Sequence, residues 1–197
     1  MAKSSRLSRL FFSRYTPEVA RALIGAKLVR VVDGRRLSGV VVETEAYRGA
    51  RDPASHAYRG ETPRNSVMFG PAGHAYVYFA MGMHHCLNVT TESDGTPAAV
   101  LLRAVQPVEG IEMMVASRGL KDQTRLASGP GNLTKAFKID RSLNGEDVTL
   151  SEGLFFEPGR AKGAVGVSTR VGVSVGKGRK WRYFLEGSPH VSRGKPS

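Results

Sequence analysis

Regular patterning begins at "TPEVARALIGAKLVRVV", where Val19, Ala20, Leu23 and Ile24 recur at helical spacing and form one apolar face. Thr16 is placed to cap that helix, Pro17 suits its first position, and Gly25 ends it. "KLVRVV", "DG" and "RRLSGVVVETEAY" then predict a hairpin closed by a tight Asp33-Gly34 turn. From Arg48 to about Gly73 no period survives, and Pro53, Pro63, Pro71 and several glycines predict a long loop. Such a loop inside a compact domain is usually functional or disordered. Its content of His56, Tyr58, Arg59, Arg64 and Asn65 favours function.

"HAYVYFAMG" sets Tyr76 and Tyr78 against Val77 and Phe79, a strand, and "HHCLNVTT" and "PAAVLLRAV" predict two more, joined by the turn signal "SDGTP". "EGIEMMVASRG" reads as a short helix ended by Gly119, and "SGPGNLTKAF" starts another at Pro130. In the final third, strands are expected around "VGVSTRVGVSV" and "WRYFLEG". The mixture predicts an α+β fold: a single domain over residues 1–197 with a mainly antiparallel sheet and peripheral helices. Residues 1–15 read as a basic arm and 193–197 as a flexible tail.

One segment resists a purely structural account. Val40-Val41-Val42 runs straight into Glu43 and Glu45, which share a strand face with Tyr47. A carboxylate ending a buried strand beside a long polar loop suits a general base. Spacing alone slightly favours the alternative, that both carboxylates pair with arginines on an exposed face.

Composition adds a partner class. Twenty-nine Lys and Arg against seventeen Asp and Glu leave +12 on 197 residues, which points first to nucleic acid and second to an anionic membrane. Residues 160–197 carry nine basic residues against the single acid Glu186. No apolar run approaches a membrane span. "MAKSSRLSRLFFSRYTPE" lacks a secretory apolar core, and the lone Cys86 permits no intramolecular disulfide, which suits a reducing cytosol.

Several chemistries are missing. No GxGxxG joins a strand to a helix, and neither a P-loop nor a GxSxG elbow occurs. His84, His85 and Cys86 are adjacent without HExxH or CxxC spacing, so no metal site is expected and Cys86 reads as core. Tyr47, His56, Tyr58, Tyr76 and Tyr78 flank one cleft, where they suit equally the stacking of a flipped base and the packing of a core.

The blocks "VETEAYRG", "DPASHAYRG", "TPRNSVMFGPAGHAYVYFAMGMHHCLNV", "VLLRAVQPVEG", "SGPGNL", "RVGV" and "RYFLEGSPHVS" resemble the alkyladenine (3-methyladenine) DNA glycosylase family of the mammalian type, in register from about Leu10 to Ser192. The resemblance implies a monofunctional base-excision repair enzyme on a curved antiparallel sheet. It flips out an alkylated or deaminated purine and hydrolyses the N-glycosidic bond. By the same match Glu45 is the catalytic carboxylate, with Arg103 and the backbone carbonyl of Val171 helping to hold the attacking water. Tyr47, His56 and Tyr78 line the base pocket, and Asn88 sits beside the purine 2-position and disfavours guanine. Met81 stands where the family commonly carries a tyrosine wedge, and His84 shares that work. Glu43 anchors a neighbouring arginine or backbone group instead.

Arg59, Arg64, Lys177, Arg179, Lys180 and Arg182 are then candidates for phosphate contacts, with "SGPGNL" as a further one. The expected partner is double-stranded DNA carrying damaged purines, with no cofactor, no metal and a monomeric state. The expected location is the cytoplasm in a bacterium or the nucleus in a eukaryote. Three rivals are a bifunctional lyase, a non-catalytic damage reader and an RNA-directed protein. The first needs a pocket amine, and no lysine lies between Lys27 and Lys121.

Overall fold

The hairpin predicted by Asp33-Gly34 opens the sheet. In the computed structural model, which describes residues 6–194, strand β1 (Lys27–Val32) pairs antiparallel with β2 (Arg35–Arg48). Asp33 and Gly34 take φ of 50° and 71°, the left-handed pair that a two-residue turn between twisted strands requires. The other strands are β3 (Ala75–Ala80), β4 (His84–Thr90), β5 (Ala98–Glu109), β6 (Leu154–Glu157), β7 (Val165–Ser168) and β8 (Arg182–Leu185). Their order is β3-β4-β5-β2-β1-β6, with β8 joining β2 to β7, and every pairing is antiparallel.

Strand β2 is the pivot. β5 runs along one of its edges from Ser38 to Arg48, while β1 takes the first part of the other edge and β8 the second, at Glu43–Glu45. One long strand serving two diverging partners curls the sheet into a half-barrel.

Helices α1 (Arg9–Phe12), α2 (Thr16–Ala22), α3 (Ile111–Arg118) and α4 (Pro130–Ala136) surround it. The Thr44 hydroxyl donates to the Ala20 carbonyl at 2.8 Å, which pins α2 to the face of β2 opposite Glu43 and Glu45. The main core includes Phe12, Leu23, Leu28, Leu37, Leu102, Phe137 and Phe156, all fully buried. A smaller cluster of Ala57, Met68, Tyr76 and Ala99, flanked by Val67, Phe69 and Tyr78, seats the long loop on the sheet. That loop is ordered through short 3₁₀ turns at Gly49–Arg51 and Ser66–Phe69.

Four expectations change. The supposed basic arm is docked from Leu7 onward: the Leu7 amide donates to Phe156 O at 2.8 Å, Arg9 pairs with Asp147, and Phe12 enters the core. Residues 1–5 lie outside the described region. Thr16 is the first residue of α2 rather than its cap, and its hydroxyl donates to buried Glu92. "LFFE" forms β6, which the sequence reading left unassigned, and β7 stops at Ser168, so Thr169–Val175 is irregular and free to wall a cavity. Of the supposed tail, Gly194 packs where any side chain would collide with Val171, and 195–197 lie outside the described residues. Among the described residues no helix is long and apolar enough to cross a membrane.

Phe12→Ala tests whether the N-terminal segment is part of the cooperative core. Loss of a fully buried ring costs about 3–5 kcal/mol, so the urea midpoint drops sharply; an unchanged midpoint would mean that the segment is only laid on the surface.

Candidate active site

Antiparallel pairing puts partnered residues on one sheet face. The row Tyr76–Asn88–Leu101–Glu45–Arg182 therefore crosses β3, β4, β5, β2 and β8 on the same side. Tyr78 and Cys86 form the next pair on that side, and Glu43 and Tyr47 flank Glu45 along β2. The β2–β5 ladder slips out of step between Val41 and Thr44, beside Arg103.

Both carboxylates are fully buried, which overturns the exposed-face alternative. Arg103 lies between them, with Nε 2.8 Å from Glu43 and Nη1 3.4 Å from Glu45. Beyond that shared cation their surroundings diverge. Glu43 Oε1 also accepts from Arg182 Nε at 2.7 Å and Ser192 Oγ at 3.0 Å, and its Oε2 accepts from the Ser192 amide at 2.7 Å. Glu43 thus takes four donors, three on Oε1 and one on Oε2, all from Arg103, Arg182 and Ser192. Burial works against its charge, but Arg103, then Arg182, overcome that and hold it below the usual carboxylate range.

Glu45 is wired differently. Its Oε1 accepts from the Val171 amide at 2.7 Å, and its Oε2 accepts from the Tyr47 hydroxyl at 2.8 Å and, more distantly, from Arg103. With two acceptor sites on each carboxylate oxygen, about one is left, on Oε1. Burial, then the Glu45 carboxylate, push the Tyr47 phenol well above its ordinary pKa, so it stays a donor.

Tyr47 and Val171 carry this carboxylate to the wall of a cavity of about 360 Å³. Its remaining lining comes from two segments, Pro53–His56 and Gly172–Val175, with Tyr78 and Asn88 from the sheet. The His56 ring stands edge-on to Tyr78 with centroids 4.5 Å apart, and its Nδ1 lies 3.0 Å from the Tyr76 hydroxyl. Burial, then nearby Arg64, push its pKa below the ordinary value, so the ring is neutral at pH 7. Asn65 fixes the loop, its Nδ2 donating to the His56 and Gly60 carbonyls at 2.9 and 3.0 Å. Asn88 Nδ2 donates to Tyr76 O at 3.0 Å, which fixes the amide at the cavity wall.

A wider groove of about 770 Å³ shares Tyr47, His56, Tyr78, Val171 and Gly172 with the cavity and runs past Arg103, Cys86 and His84 to the start of α4. Met81 and Met83 stand on its rim at the tip of the β3–β4 hairpin, 78% and 71% exposed. Met81 holds a left-handed φ of 49° there.

The basic candidates sort by burial. Lys177 and Lys180 are exposed just beyond the Gly172–Val175 wall, and Arg59 and Arg64 are exposed on the loop, with the Arg64 guanidinium 5.4 Å from the Tyr78 ring centre. Arg179 covers Trp181 and donates to Arg51 O. Arg182 corrects the phosphate-binding expectation: it is buried and committed to Glu43, so no phosphate reaches it. The sequence reading also passed over Ser192, Asp52 and the fully buried Arg170, and over Arg118 and Lys135 on the groove. Tyr58 lines neither the cavity nor the groove. Among the described residues no three His, Cys, Asp or Glu side chains converge to hold a metal ion.

Known proteins carry the same pattern. The family described as Methylpurine-DNA glycosylase (MPG) matches residues 10–189. The chain belongs to this family. With that membership it is a DNA glycosylase of the 3-methyladenine type. Relatives of this glycosylase named "Putative 3-methyladenine DNA glycosylase" include one from Carboxydothermus hydrogenoformans, 47% identical over 95% of this chain and 98% of its own. Others come from Chlorobium phaeovibrioides, at 45% over 98% and 99%, and Methanocella arvoryzae, at 48% over 96% and 97%.

The ion pairs under the glycosylase site predict its acid stability. Glu43 and Asp52 both titrate below their ordinary range when folded: burial opposes this in each, and Arg103 with Arg182, or the hydrogen bonds from Arg170, outweigh it. Their contribution is therefore complete above the unfolded values, about 4.3 for Glu and 3.9 for Asp, and disappears as pH falls through the folded ones. Urea midpoints measured from pH 7 down to 2.5 drop steeply below about pH 4. Glu43→Gln is less stable at neutral pH and falls less steeply; an equally steep fall would place the acid sensitivity elsewhere.

Proposed function

We propose that this glycosylase flips an alkylated or deaminated purine out of double-stranded DNA into the Tyr47–His56–Tyr78–Asn88 cavity and hydrolyses its N-glycosidic bond with a water activated by Glu45. The observation that carries the reading is the contrast between the two carboxylates: Glu43 is held by Arg103, Arg182 and Ser192, none of which lines the cavity, while Glu45 is held by Tyr47 and Val171, which do, and keeps an acceptor site on Oε1. That site suits a water proton, with Arg103 and the Val171 carbonyl holding the same water.

One base is enough for the alkylated substrates. Sugar hydrolases commonly need an acid for the leaving oxygen and a carboxylate opposite it. A purine alkylated at N3 or N7 is already cationic and departs readily. Ionised Glu45 takes the proton from water and opposes the positive charge that develops on the sugar. A neutral leaving base such as hypoxanthine draws further help from hydrogen bonds in the cavity.

The surroundings support the same reading. Tyr47, Tyr78 and neutral His56 offer ring surfaces for one planar base. The Asn88 amide, fixed on Tyr76 O at the cavity wall, suits a residue that disfavours guanine's 2-amino group without excluding it. Exposed Met81 suits an apolar wedge filling the vacated stack, with His84 behind it on the groove. Arg59, Arg64, Lys177, Lys180 and Arg179 are placed to hold the backbone. All of these come from one chain, which is consistent with action as a monomer. Work on the chromosome implies the cytoplasm of a prokaryotic cell. A lyase would need an amine at the anomeric carbon, and Lys135 lines the groove but not the cavity.

Single-turnover base release tests the assignment. Glu45→Gln slows excision of hypoxanthine and 7-methylguanine by about 10²–10⁴-fold, the share expected of a general base, while lesion binding survives. Equal rates for the variant and wild type would remove Glu45 from the chemistry and bring Glu43 forward. For the wedge, Met81→Ala slows release from duplex DNA by about tenfold or more, since unstacking costs a few kcal/mol per step, and leaves release from a single strand unchanged. Equal slowing on both substrates would show that Met81 acts on something other than flipping.

A further inference from the structure

One fully buried cation takes no part in the mechanism. Arg170 is fully buried and forms a bidentate pair with Asp52, also fully buried, at 2.6 and 2.8 Å. Its Nη1 also donates to Ala46 O at 3.0 Å, and its guanidinium carbon lies 4.6 Å from the centre of the Tyr47 ring. Asp52 immediately precedes the Pro53–His56 wall, and Arg170 immediately precedes the wall formed by Val171–Val175. The pair is thus the joint between the two segments that enclose the cavity.

Tyr47 lines the cavity and Arg170 does not, so the guanidinium sits behind that ring as seen from the ligand space. A cation against an aromatic face braces the ring, but it also places a positive charge next to the space where a positively charged purine would stack. A base on the near face of Tyr47 lies roughly 8 Å from that charge, where an uncompensated unit charge weakens cation binding roughly ten- to thirtyfold at a protein's effective dielectric. Asp52 supplies the compensation from within the same buried pair.

We infer that the Asp52–Arg170 pair sets the specificity of this site between cationic and neutral bases: Arg170 positions Tyr47 and the cavity walls, and Asp52 cancels its charge so that a cationic alkylpurine is accepted. The inference rests on the base-flipping hydrolase reading above. Neither residue touches the substrate, so both are positioning residues, and specificity here is a difference between two substrates rather than a gain for one.

The experiment is single-turnover release of 7-methylguanine, which is cationic, and of hypoxanthine, which is neutral, from otherwise identical duplexes, with the ratio of the two rates as the readout. Asp52→Asn keeps the shape and leaves Arg170 uncompensated, so the 7-methylguanine to hypoxanthine ratio falls about tenfold. Arg170→Gln leaves the carboxylate without its cation, and the ratio moves the opposite way. The double variant Asp52→Leu/Arg170→Met removes both charges; it slows both lesions alike and returns the ratio to the wild-type value. Near-UV circular dichroism establishes which variants are folded, and the apolar pair is the safeguard, since replacing a buried ion pair by packed apolar groups is often neutral or stabilising. Variants that are folded but leave the ratio unchanged would overturn the inference alone and reduce the pair to a structural latch. Failure of the wild type to release either base would overturn the hydrolase reading and this inference with it.

Discussion

Two carboxylates two residues apart on one strand face cannot both remain charged out of water unless a cation lies between them. Arg103 is that cation, and much of the architecture exists to keep it there. It comes from β5, where the ladder with β2 slips. Its Nη2 donates to the Ser192 hydroxyl at 3.2 Å, so a segment far along the chain closes over the pair. Arg182, brought in by β8, supplies the second positive charge that Glu43 needs. The burial of Arg103 and Arg182 follows from the need to partner these carboxylates in the interior.

The two carboxylates differ in the partners they take rather than in their position. Both occupy the same face, the same strand and the same degree of burial. Glu43 takes its donors from Arg103, Arg182 and Ser192 and holds β2, β5, β8 and the Ser192 segment together. Glu45 accepts from two groups that also line the cavity, and so joins the frame to the ligand space. The cavity is walled largely by irregular backbone, whose precision comes from three buried polar anchors: Asn65, Asp52 and Arg170.

What could be read from the chain in advance was whatever depends on neighbours in sequence. The Asp33-Gly34 turn was legible because left-handed turn residues act locally. The face shared by Glu43, Glu45 and Tyr47 was legible because strand periodicity is local too. β6 was not, because "LFFE" is a four-residue run whose strand character depends on finding β1 as a partner. Arg170 and Arg182 read as surface charge because their acids, Asp52 and Glu43, lie 118 and 139 residues away, and composition does not reveal such pairing. Phe12 looked like part of an arm because the arginines around it dominate its local composition. Site roles came from family motifs; Asp52 and Arg170 open two of those blocks, "DPASHAYRG" and "RVGV", but nothing in either block shows that the two residues pair.

The bond between the Ser192 amide and Glu43 spans 149 residues, and that between the Val171 amide and Glu45 spans 126. Contacts of such separation form late and cooperatively, since loop closure must precede any reward. The carboxylate chemistry is therefore not encoded in any fragment or early collapsed form of the chain. A partly folded chain keeps its basic residues but lacks the assembled site that excision needs. Competence to excise appears only with the complete tertiary structure, so the genome is shielded from the enzyme's own folding errors.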